Sequence, residues 1–143
     1  MDTAAKIYSQ KEIKAVLSDP HKREELSAAN GTNCVVISLD EEVEFIPREF
    51  LPSCPVLGLK KAHHFSSAQY VDCSAIEPIL TEVISSIDSN PIAASVLAGL
   101  LRKTLNQTIV DALDSESTAY GLLQKSGEYK RALPLKGSNN MTV

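Results

Sequence analysis

Cys34-Val35-Val36-Ile37-Ser38-Leu39 is an uncharged, apolar run rich in β-branched residues. Its length and lack of alternation predict a strand covered on both faces, as in a parallel sheet. Pro55-Val56-Leu57-Gly58-Leu59 is a second run of the same kind. Val43-Glu44-Phe45-Ile46 and Tyr70-Val71-Asp72-Cys73 are further strand candidates. Between them, residues 47–55 hold Pro47, Pro52 and Pro55, so they read as loop rather than central strand. Residues 60–69 read as a polar loop. Upstream of the first run, Ile13, Val16 and Leu17 form one stripe of a helix over 9–18, with Ser9 as its N-cap. Asp19-Pro20 ends that helix. A charged helix over 22–29 follows and stops at Asn30-Gly31.

Downstream the period changes. Ile76, Ile79, Leu80, Val83, Ile84 and Ile87 recur at helical spacing and predict a helix over 74–88. Asn90-Pro91 opens another, with Asn90 as N-cap and Pro91 at the first helical position. Its apolar face holds Ile92, Val96, Leu97, Leu100, Leu101 and Leu105, while Ala93, Ala94, Ala98 and Gly99 leave room for a close neighbour. A third helix runs over 106–124, and 126–132 adds a final turn. The expected fold is therefore α/β (or α+β): a small, mostly parallel sheet of three to four strands followed by a helical C-terminal part. At 143 residues the chain suits one domain, drawn over 1–136 with 137–143 as a flexible tail. Aromatic residues are 5% and Trp is absent, so the core must rest on Leu, Ile, Val and Ala.

A net charge of −4 argues against binding a nucleic-acid backbone. No apolar run approaches the ~18–20 residues that span a bilayer. The start, Met1 to Lys6, lacks a basic region leading into an apolar one, so the expected location is cytoplasmic. Cys34, Cys54 and Cys73 lie in apolar or strand-like stretches without a C-x-x-C pair, and read as small buried hydrophobes rather than zinc ligands. No glycine-rich phosphate loop, nucleophile elbow or H-E-x-x-H is present. His63-His64 reads as a solvated loop pair. The sharper alternative makes one of them the base for a Cys73 nucleophile. Asp111, Asp114 and Glu116 read as a solvated acidic face, with Glu116, beside Leu113 and Tyr120, as a buried acceptor. Lys125, Lys130, Arg131 and Lys136 form a basic cluster able to hold phosphates, or simply to complement a helix C-terminus.

Several stretches together resemble the enoyl-CoA hydratase/isomerase (crotonase) superfamily. They are Ile87 to Ala94, Leu100-Leu101-Arg102, Asp111 to Tyr120 with its Glu116-Ser117-Thr118-Ala119-Tyr120, and Leu123 to Tyr129 with its Ser126-Gly127-Glu128-Tyr129. The likeness covers residues 55–132 and is closest to helical segments outside the family's catalytic core. It implies a fold relationship and helix-mediated assembly. Crotonases stabilise a thioester enolate with two backbone N–H groups. The glycine-rich half that supplies them has no counterpart here, and Glu116 matches a helix position to which no catalytic role carries over. The ending Ala132-Leu133-Pro134-Leu135-Lys136 only partly matches the family's own. The reading therefore leans away from an enzyme and from a cofactor. It expects an assembly module that forms a homo-oligomer, or docks on a crotonase-type enzyme, through Leu97, Leu100, Leu101 and Leu105. The alternative is an acyl-CoA-binding enzyme or subunit that holds a CoA thioester at Lys130, Arg131 and Lys136.

Overall fold

The computed structural model describes residues 6–39, 45–61, 70–104, 107–128 and 130–131. They form two compact units that divide between Pro91 and Ile92, inside the stretch drawn above as one domain.

The first unit is built on four parallel strands in the order β1 (Ile7–Tyr8), β2 (Val35–Ser38), β3 (Val56–Leu59) and β4 (Cys73–Ala75). The chain is thus an α/β protein with a parallel sheet and a helical C-terminal part. Successive side chains of a strand point to opposite faces. Val35 and Ile37 join Val56, Leu39, and Ile13 and Leu17 of α1 (Gln10–Ser18) in one buried core. On the other face, Val36 and Leu59 lie with Leu80 and Ile84 of α3 (Glu77–Ser89) around a small gap of ≈190 Å³. Helices on both faces explain why the two long strands carry no polar alternation.

Local chemistry sets the helix ends. Ser9 Oγ accepts from the Glu12 N–H at 3.2 Å, capping α1. Asp19 then accepts from the His21 N–H at 3.0 Å and opens α2 (Pro20–Glu25), which starts on a proline. Arg23 fastens this corner: its guanidinium donates to the carbonyls of Leu17 (3.0 Å) and Glu49 (3.1 Å) and lies over the Phe50 ring. The helix expected to run to residue 29 stops at Glu25, because Leu26 leaves helical geometry and is buried in the core. A single 3₁₀ turn, Ala28–Asn30, follows, and Gly31 closes it at φ 89°, a conformation that favours glycine.

Three strand expectations need correction. β1 was not foreseen; a two-residue strand offers no pattern to read, and it is held by pairing Ile7 with Val36 and Tyr8 with Ile37. The strand expected at 70–73 begins at Cys73 instead. Asp72 lies just ahead of it, where its carboxylate accepts from the Val56 N–H at 2.7 Å and its own N–H donates to the Val56 carbonyl at 2.8 Å. With β4 running to Ala75, α3 begins at Glu77 rather than Ser74. Phe45 and Ile46 form no strand: Ile46 is buried in the core and Phe45 is exposed, while Val43 and Glu44 lie outside the described residues.

Tyr70 is packed into the same core. Its hydroxyl donates to Gln10 Oε1 at 2.8 Å, and both side chains are buried. A buried hydrogen bond of this kind is worth about 1–2 kcal/mol. Tyr70→Phe is expected to lower stability by that amount in denaturant unfolding, and an unchanged midpoint would show the bond to be energetically idle.

The second unit consists of α4 (Pro91–Thr104), of which all but Pro91 belongs to it, α5 (Ile109–Gln124), and helical residues around Glu128. Thr108 Oγ1 caps α5 by accepting from the Asp111 N–H at 3.2 Å. α4 is capped differently. The N–H groups of Ile92 and Ala93, which an N-cap side chain would take, both donate to the Glu128 carboxylate, each at 2.7 Å. The cap expected from Asn90 is therefore supplied by a residue 35 or more positions away in sequence.

Candidate interaction surface

The helical unit turns much of its apolar surface outward. On α4, Leu97 and Leu101 are 53% and 51% exposed. Leu100 is half-buried and lines a groove against α5, and Ala98 is buried. Leu105, the fourth residue expected on this face, lies outside the described residues. At 100° per residue, Ile109, Leu113 and Tyr120 of α5 fall within roughly 40° of one another around the helix. All three are exposed, as are Val110 and Leu122. Two open grooves flank the line where α4 meets α5. One, of ≈540 Å³, is lined by Val96, Gly99, Leu100, Asp114 and Leu122 among others. The other, of ≈470 Å³, runs past Leu113, Glu116, Tyr120 and Leu123.

This arrangement corrects the expected role of Glu116. It shares the outward stripe of Leu113 and Tyr120, so it is exposed with them rather than buried as an acceptor. Asp111 and Asp114 are exposed as well, as the solvated-face reading expects. The buried carboxylate of this unit is Glu128, 9% exposed. Its sequence signal was present in Ser126-Gly127-Glu128, but nothing local announces that a glutamate at a helix start will cap a different helix. Lys125, Lys130 and Arg131 are exposed, and Lys136 lies outside the described residues.

The cysteines divide. Cys34 and Cys54 are buried as expected, but Cys73 is exposed, since it starts the short strand β4. Burial, with the nearby Asp88 charge second, pushes the Cys34 thiol from its ordinary 9.0 up to about 11. Asp88 is itself held by the Asn33 side chain, which donates to it at 3.1 Å. The folded state thus keeps the Cys34 proton more tightly than the unfolded chain. Stability from this group is full below pH 9.0 and is lost as pH rises towards about 11. Cys34→Ala is expected to flatten the stability–pH curve over that window, and a curve parallel to the wild type would refute the assignment. His63 and His64 lie outside the described residues. Among the described residues, no group of three or more His, Cys, Asp or Glu side chains is placed to hold a metal ion. Nor is any single described helix long and apolar enough to cross a membrane.

No family model matches the chain, and no curated protein or solved structure matches it. The crotonase likeness rests on the quoted motifs alone.

Proposed function

We propose that the chain is an assembly module that forms a homo-oligomer through its C-terminal helical unit. The observation that carries this reading is the exposure of eight large apolar side chains on two adjacent helices: Ile92, Leu97, Leu101, Ile109, Val110, Leu113, Tyr120 and Leu122. Large apolar side chains exposed in a group mark an interaction site, whereas single scattered ones are ordinary. They are spread over more than one helix face, so an interface that buries most of them wraps around the hairpin rather than lying flat on it.

The charge pattern favours a second copy as the partner. α5 carries exposed Asp111, Asp114 and Glu116 in its first half, and exposed Lys125, Lys130 and Arg131 stand at and beyond its end. Two copies running antiparallel bring acidic halves beside basic ends, and such complementarity guides partner choice. An isologous contact needs only that one patch complement itself.

The test is Leu97→Asp combined with Leu101→Asp, measured by light scattering after size exclusion. Both side chains are half exposed, so the fold is expected to survive with little change in circular dichroism. The expected result is a shift of the eluting mass to that of a single chain. A variant that keeps the wild-type mass while remaining folded would overturn the proposal. A wild type that is a single chain, yet stays bound to a different protein through this face, would replace self-association with docking on another partner.

A further inference from the structure

We draw no further inference here: the strongest candidate, the groove between α4 and α5 where the Ser95 hydroxyl has no hydrogen-bond partner, belongs to the helical face already proposed for self-association, and that oxygen is sealed from solvent and so offers a ligand no atom to reach.

Discussion

Ile37→Ala is expected to lower the unfolding free energy of the N-terminal unit by about 3–4 kcal/mol. Ile37 is wholly buried in the middle of β2. Its neighbours across the ladder are Tyr8 of β1 and Gly58 of β3. The glycine has no side chain with which to fill a cavity. The space above it is already taken by Leu39: a Cβ built on Gly58 would meet Leu39 Cδ1 at 2.5 Å and Ser74 Cβ at 3.1 Å. From the helix side, Ile13 and Leu17 belong to the same core and are fixed by the capped helix they sit on. Three methylene-sized groups are thus removed from a site that cannot collapse, which keeps the cost clear of the low end of the usual range of about 2–5 kcal/mol for Ile→Ala. Since domains of this size are stable by roughly 5–15 kcal/mol, the change removes a large share. Urea unfolding followed by far-ultraviolet dichroism checks it, with exposed Lys11→Ala on α1 as the control expected within about 0.5 kcal/mol. A loss below about 1 kcal/mol at Ile37 would mean that α1 is not locked against the sheet.

Glu128→Ala is expected to release the first turn of α4, at a cost of about 2–3 kcal/mol to the C-terminal unit. One carboxylate satisfies two backbone donors at the positive end of a 14-residue helix, with both bonds at 2.7 Å. Charge-assisted bonds of that length are roughly twice as strong as neutral ones. Removing the side chain leaves the Ile92 and Ala93 N–H groups to find water. It also frees the segment that follows α5 from α4. Glu128→Gln keeps one acceptor oxygen but loses the charge and one of the two bonds, so about half the cost should return. Amide hydrogen exchange is the direct measurement: protection of Ile92 and Ala93 should drop in both variants, more in the alanine. Unchanged protection at these two amides would show that the clamp does not hold the helix.

Most of the first unit was legible in the sequence because its signals are local. The run from Cys34 to Leu39 and the run from Pro55 to Leu59 each contain one strand, within a residue or two of its observed ends. Ser9, Asp19-Pro20 and Gly31 punctuate the chain through backbone geometry that each residue type favours. What escaped depends on partners distant in sequence. β1 exists because β2 pairs with it, and β4 was misplaced because Asp72 satisfies Val56 in a way no local pattern reveals. The interface candidates were legible in part. Helical spacing put Leu97, Leu100 and Leu101 on one broad apolar face, but not which way each would point. Leu100 turned towards α5 and the other two towards solvent. Glu116 was misjudged for the same reason: periodicity finds a stripe and cannot say whether it faces inward. Glu128 shows the limit most clearly, since its two bonds join positions 35 and 36 apart.

Sedimentation equilibrium of the unmodified protein over a wide concentration range shows whether the helical unit brings copies of the chain together. The expected mass is a whole-number multiple of 15.5 kDa, falling towards one chain only on dilution. A mass of 15.5 kDa at every concentration, from a protein whose Leu97 and Leu101 are confirmed exposed, would contradict it.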